Sequence, residues 1–306
     1  MASTQQIKSR IKSVKNTKQI TKAMELVAAS KMRRAQETTV ASRDYVNTAR
    51  QILTRLRQLT DVSKHPLFIT REVKSRILVV ITSDRGLAGA YNSNVLRQLT
   101  KELQQDRDNG IETKLIIIGK QAAKFVAKID GINVIASYDN FPEKPTIADL
   151  SPILTTVKDM FKVGEELEIR EDKRPKKIKT DPTTDAVDVL YTDYKSSVVQ
   201  EVTISRLLPA AYDGLRISED LGEAIFEPSP EIVLNNIADK LVDVQLWQDY
   251  LESQASEQSS RMMAMKTASD NAGDLIDDLT LAANSARQSA ITQELAEITG
   301  GAEAMK

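Results

Sequence analysis

The stretch with the strongest claim to ligand chemistry is Ser83-Asp84-Arg85-Gly86-Leu87-Ala88-Gly89-Ala90-Tyr91-Asn92, which follows an apolar, β-branched run from Ile77 to Thr82. A glycine-rich turn between a strand and a helix can present backbone N–H groups to a phosphate. This one carries neither G-x-x-x-x-G-K-[ST] nor G-x-G-x-x-G. No lysine sits beside it, and the next strand ends without an acidic residue to hold a ribose. A tight structural turn is the simpler reading.

No carboxylate pair, nucleophile–base set or metal-ligand spacing stands out elsewhere. The chain has no cysteine, which excludes disulfides, thiolate metal sites and Cys nucleophiles. Its single histidine, His65, falls at the end of a long helical stretch, where a cap or loop role is expected. Catalytic residues, cofactor-binding residues, metal ligands and a cofactor are all expected to be absent.

Charge along the chain is more informative. Between Lys8 and Arg34 stand nine basic residues (Lys8, Arg10, Lys12, Lys15, Lys18, Lys22, Lys31, Arg33, Arg34) against one acid, Glu25. Near the other end Asp270, Asp274, Asp277 and Asp278 occur with no basic residue between Thr267 and Ala286. The net charge of −1 gives the whole molecule no pull toward nucleic acid or anionic lipid. The basic surplus therefore points to an acidic partner around one end.

The elements that carry these charges are long helices. Ala2 to His65 contains no Gly or Pro, and Glu231 to Thr299 contains no Pro and only Gly273. Segments of roughly 60 and 69 residues would run about 90 and 100 Å. A compact globule of this chain length has a diameter of about 50 Å. An elongated rod with a compact part attached is expected.

Stepping three and four residues from Leu234 gives Leu234, Ile237, Leu241, Val244, Gln248, Leu251, Ala255, Gln258, Met262, Met265, Ser269, Ala272, Ile276, Leu279, Ala283, Ala286, Ala290 and Gln293, of which fourteen of eighteen are apolar. That is a coiled-coil seam. The N-terminal stretch gives Ile7, Ile11, Val14, then Ile20, Met24, Val27, and after a one-residue shift Met32, Ala35, Val46, Ala49, Leu53 and Leu56. Two seams flanking an insert predict an antiparallel hairpin, with the basic start of one helix near the acidic stretch of the other. The C-terminal helix is the longer, so its tip is expected to project. From Leu279 onward its apolar residues cover several faces, which implies a sleeve supplied by other subunits. Gly300-Gly301 is expected to end it.

Between the helices, apolar runs at Ile77–Thr82, Leu115–Ile118, Ile132–Ala136 and Val187–Tyr191 alternate with helical stretches near 93–107, 120–129 and 147–162. This alternation predicts a mostly parallel sheet covered on both faces, with Val198–Leu207 as an edge strand. Residues 164–184 carry twelve charges in twenty-one positions and read as a solvated loop or small hairpin. The expected domains are a discontinuous antiparallel coiled-coil shaft, residues 1–73 and 210–306, and an α/β domain, residues 74–209. No apolar run is long enough to span a membrane. The helix beginning almost at Met1, without a signal peptide, argues for a protein kept on the cytosolic side.

Residues 7–36, IKSRIKSVKNTKQITKAMELVAASKMRRAQ, closely resemble the N-terminal helix of gamma subunits of F-type ATP synthases. DRGLAGAYN at 84–92, ASEQSSRMMAMKTASDNAG at 255–273 and ARQSAITQELAEITGGAEA at 286–304 resemble the same family. The resemblance implies a Rossmann-like α/β domain inserted between the N- and C-terminal helices of a long antiparallel coiled coil. It implies a non-catalytic central rotor subunit of a proton-driven complex at the inner (plasma) membrane, peripheral on the cytoplasmic side. The implied partners are the alpha and beta subunits of the catalytic ring, the epsilon subunit and the membrane-embedded c-ring, without nucleic acid. Beta-subunit contacts are implied for Met24, Lys22, Lys31, Arg33, Arg34, Arg287, Gln288 and Thr292. A bearing tip is implied at Leu279, Ala286, Ala290, Ile291 and Leu295.

The chain departs from the family pattern at Ala283 and Ser285, where an aromatic and a lysine are usual, and at Ala88 and Ala90. The cysteine-bearing redox insert of chloroplast relatives is absent. Two other readings stay open on the residues alone: a free-standing nucleotide-binding α/β protein using the 84–92 loop, and a coiled-coil scaffold binding nucleic acid through its basic helix.

Overall fold

The computed structural model describes residues 4–59, 65–142, 145–162, 164–169, 175–180, 183–210, 227 and 229–303. They form two compact units, one made of the residues up to Ser30 with those from Arg261, the other of residues 31–260.

The second unit is built on a five-stranded sheet. Its strands are β1 (Ser75–Ile81), β2 (Glu112–Ile118), β3 (Asn133–Tyr138), β6 (Ala186–Tyr194) and β7 (Gln200–Leu208), in the order β3-β2-β1-β6-β7. All neighbours are parallel except β6 and β7, so β7 is the antiparallel edge expected near 198–207. The crossovers run through α2 (Tyr91–Asp108) and α3 (Lys120–Val126), and α4 (Ser151–Phe161) precedes the return to β6.

Strand alternation sorts the core into two layers. Leu78, Val80, Leu115, Ile117 and Leu190 face Val95 and Leu99 of α2 and Ala122 and Val126 of α3. Ile77, Val79, Ile116, Ile118, Val187 and Val189 face α4 through Ile153, Val157 and Phe161. That second layer also takes in Leu56 of helix α1 (Thr4–Leu59) and Leu234, Leu241 and Leu246 of helix α5 (Pro230–Glu303). The strands are apolar on both faces because both faces are covered. The charged segment forms a separate antiparallel hairpin, β4 (Gly164–Ile169) with β5 (Pro175–Thr180).

One buried charge clamps α2 to the sheet. Arg76 reaches Glu102 at 3.0 Å, Asp106 at 2.6 Å and Asp188 at 3.3 Å, and Arg206 also binds Asp188. Burial alone would lower the Arg76 pKa; the hydrogen bond to Glu102 and the charges of Asp106 and Asp188 outweigh it and raise the value.

In the first unit the start of α1 groups with the end of α5, so the helices run antiparallel. They contain 56 and 74 residues, about 84 and 111 Å by helical rise. The seam read on α5 holds: Met265, Ser269 and Ala272 are buried, Ile276, Leu279, Ala283 and Ala286 half-buried, and residues 287–300 exposed on every face.

Two details differ from expectation. On α1 the four–three stepping never slips. It runs Ile7, Ile11, Val14, Lys18, Thr21, Glu25, Ala28, Met32, Ala35, Thr39, with Thr21, Ala28, Ala35 and Thr39 buried, while Ile20 and Val27 are 60% and 55% exposed. Small and polar residues occupy part of the seam, and an apolar count alone missed them. On α5 the helix passes through Gly300 and Gly301 to Glu303. Glycine ends a helix by taking a left-handed φ, and neither glycine has one.

His65 caps the short 3₁₀ turn Pro66–Phe68, its Nδ1 accepting from the Leu67 N–H at 3.2 Å, as its cap reading anticipated. Burial lowers its pKa below the ordinary 6.5, with Lys162 acting the same way and Asp239 and an Asn235 hydrogen bond opposing. The unfolded chain therefore binds this proton more readily than the folded one. Stability from neutral His65 is intact above the unfolded pKa and is lost as pH falls through the folded one. Urea melts at pH 7.5 and 5.5 should show a smaller acid loss in His65→Asn, which keeps a capping acceptor, than in the parent chain. Replacing Arg76 by Met takes the shared cation from Glu102, Asp106 and Asp188, of which only Asp188 keeps another cation, Arg206, and should cost about 3–5 kcal/mol in the same assay.

Candidate functional site

The glycine-rich loop is a structural hub. The Ser83 N–H donates to Asn92 Oδ1 at 3.1 Å, and Ser83 Oγ donates to the Arg85 carbonyl at 2.6 Å. Asp84 accepts the backbone N–H of Lys120 at 3.1 Å and of Asn140 at 3.0 Å, tying the loop to the start of α3 and to the segment after β3. Gly119 beneath it has φ 99°, and a Cβ there would stand 2.1 Å from the Thr82 carbonyl oxygen. The loop's side chains are engaged in holding the loop itself and its neighbouring segments in place.

The strand order is that of a doubly wound sheet, whose ligand crevice lies beyond the carboxyl ends of the strands where the order reverses, here β1 and β6. Helix α5 fills that place. Tyr91 and Ser253 share a hydrogen bond of 2.7 Å, and Ser256 donates to the Thr192 carbonyl at 3.0 Å, with both serines fully buried. Tyr250 packs on Phe141 and Trp247 beside it, and burial raises its pKa. Small serines let the helix sit against the strand ends, a role the sequence alone did not reveal. Among the described residues no group of three or more His, Asp or Glu is placed to hold a metal.

The outer faces of the helices are what remain available. In the first unit Lys22 is exposed and pairs with Glu25 at 3.0 Å, and Met24 is half-buried. Arg287, Gln288 and Thr292 are exposed, and the Thr292 hydroxyl donates to the Gln288 carbonyl at 2.9 Å. Ser285, Gln288, Ser289, Thr292, Gln293 and Ala296 share that solvent-exposed helix face. Among the residues read as a bearing tip, Leu279 and Ala286 face the seam, while Ala290, Ile291 and Leu295 are exposed. In the second unit Lys31 is half-buried, Arg34 exposed, and Arg33 exposed with Glu37 at 3.0 Å.

The basic start of α1 and the acidic stretch of α5 fall in the same compact unit, without direct ion pairs between the aspartates and α1 among the described residues. Asp270, Asp274, Asp277 and Asp278 all point to solvent, and among the described residues none forms an ion pair with α1. They occupy outer positions of the heptad, one or more steps away from the seam, so their side chains cannot reach across it. The structure adds exposed apolar residues that the slipped seam had hidden: Ile20, Leu26 and Val27 on α1. Counting strict heptads through the polar positions would have found them. Leu87, exposed at φ 63°, is another.

The family model described as ATP synthase matches residues 3–305. The ATP synthase gamma chain of Ralstonia nicotianae is 37% identical over 310 residues, covering 100% of both chains. That of Legionella pneumophila is 35% identical over 311 residues with the same coverage. The chain belongs to the ATP synthase gamma-chain family. As a member of that family it is a non-catalytic subunit of an enzyme complex.

Solved structures share the fold at lower identity. A central stalk and c-ring assembly of Tetrahymena thermophila mitochondrial ATP synthase contains a chain matching with TM-score 0.59 and 24% identity, over 82% of this chain and 99% of that one. One of Euglena gracilis matches with TM-score 0.65 and 17% identity, over 99% and 94%.

Asp84→Ala should leave two backbone N–H groups without their acceptor and cost about 1–3 kcal/mol in thermal melts. Asp84→Asn, which keeps one acceptor oxygen, should recover part of the loss.

Proposed function

We propose that this chain is the central rotor shaft of a proton-translocating F-type ATP synthase. It transmits rotation of a c-ring to a ring of alpha and beta subunits, where ATP is made or hydrolysed. Its coiled-coil shaft comprises residues 1–73 and 210–306, and the α/β domain of residues 74–209 meets the c-ring and the epsilon subunit. The complex sits at the cytoplasmic face of the plasma membrane, and no described helix of this chain is long and apolar enough to cross it.

The observation that carries this reading is the bare end of α5. A helix exposed on every face from residue 287 to 300, with Ile291, Leu295 and Ile298 in water, is not stable as an isolated feature. A surrounding apolar sleeve would cover it. The full-length likeness to gamma chains supports a ring of catalytic subunits as that sleeve.

Coupling requires that the shaft contact three equivalent subunits differently, since only differential contact shifts a conformational equilibrium. The shaft is asymmetric in the needed way. One side of α1 carries Lys8, Lys12, Lys15 and Lys22, another carries Ile20 and Val27, and α5 turns Asp270, Asp274, Asp277 and Asp278 outward. Lys22, Met24, Lys31, Arg33 and Arg34 would meet acidic segments of beta, and Arg287, Gln288 and Thr292 would grip its loops near the tip.

The crevice filled by α5 weighs against a free-standing nucleotide-binding protein. Reconstituted complex carrying Arg287→Ala with Gln288→Ala should lose coupled ATP turnover several-fold at unchanged assembly. Unchanged turnover and torque would refute those contacts.

A further inference from the structure

The far end of the β6–β7 hairpin is turned opposite to an apolar contact. Val198 and Val199 in its turn are 76% and 55% exposed, whereas the polar Ser197 and Gln200 carry its contact with α5. The hydroxyl of Ser259, fully buried, donates to the Ser197 carbonyl at 2.8 Å, and that of Ser260 donates to Gln200 Oε1 at 3.0 Å. Gln200 Nε2 in turn donates to Ser259 Oγ at 3.4 Å and to the Ser197 carbonyl at 3.0 Å. One turn earlier on α5, Ser256 donates to the Thr192 carbonyl. The same hairpin end also reaches the other long helix, where Gln36 Nε2 of α1 donates to the Tyr194 hydroxyl at 2.5 Å. The turn is closed from within, since Ser196 Oγ accepts the Val199 N–H and the Ser196 N–H donates to the Val199 carbonyl, both at 3.0 Å. Its bonds to the helices are therefore additional to those that form it.

Elsewhere in this unit α5 is held by large apolar side chains such as Leu234, Leu241 and Leu246. Apolar burial is non-directional. A hydroxyl–carbonyl bond instead demands a donor–acceptor distance near ~3 Å and a narrow range of angles. Turning α5 by one residue swings each side chain through about 100°. Ser256, Ser259 and Ser260 would then leave their acceptors together. Each bond adds little net strength, because water can replace it. Orientation is what the contact contributes, and it does so in the last turns of both helices before this unit ends at Lys31 and Ser260.

We propose that the end of the β6–β7 hairpin is a polar clamp that fixes the rotation of α5, and with it α1, against the sheet. As part of a rotor it would pass torque between the sheet and the helices. This second half rests on the shaft reading; the clamp itself does not.

The chain has no cysteine, so reporter positions can be introduced cleanly. Spin labels at Lys124→Cys on α3 and Lys266→Cys on α5, both exposed, would be measured in the assembled complex with otherwise cysteine-free subunits. Replacing Ser256, Ser259 and Ser260 together by Ala should broaden the label distance distribution and lower coupled ATP synthesis several-fold. Hydrogen exchange in the same variant should quicken about tenfold in β6 and β7 and stay unchanged in β1 and β2. An unchanged distribution, or exchange that quickens equally in β1 and β2, overturns the proposal. If the triple variant blocks assembly, Gln200→Ala alone decides: a broadened distribution supports the clamp, and a sharp one overturns it. A broadened distribution at full synthesis rate leaves the clamp standing and overturns its link to torque.

Discussion

Outside the sheet the two long helices have only each other to bury a stripe against, and everything they present outward follows from that constraint. Each helix must keep its seam in four–three order, so every other heptad position is turned to solvent. Several seam side chains are small, among them Ala28 on α1 and Ser269 and Ala272 on α5, and such positions bury little area, at roughly 25 cal/mol per Å² of apolar surface. Precise fit, rather than bulk, must hold such a pair in one alignment.

In the second unit the same two helices enter a wide core, where Leu56 and Leu241 join a layer with Phe161 and Val189. Large side chains there bury far more area per residue. The doubly wound sheet serves as a mount: its customary ligand crevice is occupied by Ser253 and Ser256 of α5. A fold associated with nucleotide binding thus contributes rigidity and attachment, a reminder that function belongs to sites and not to topologies.

Much of this was legible in the residues. ILVVIT and LIII announced buried parallel strands, and the alternation with helices gave the order of elements within a few positions. The α5 seam from Met262 to Ala286 was countable because its apolar residues outnumber the polar ones. The α1 seam was not, since polar residues such as the buried Thr21 and half-buried Glu25 fall on it, and hydropathy cannot flag a polar residue that packs through its stem or its small size. The tip glycines misled for a related reason: Gly permits a left-handed turn without requiring one. Long-range pairings such as Tyr91 with Ser253, or Asp84 with the Asn140 amide, leave no local periodicity and could not be read at all.

Leu281, 69% exposed, and the uncovered Ile291, Leu295 and Ile298 have a consequence for the chain's life before assembly. An orphan copy displays a slender greasy end of the sort that chaperones hold and proteases trim, because fraying costs little where no tertiary contacts must be broken. Covering the tip by another surface would remove both that apolar exposure and the route to fraying.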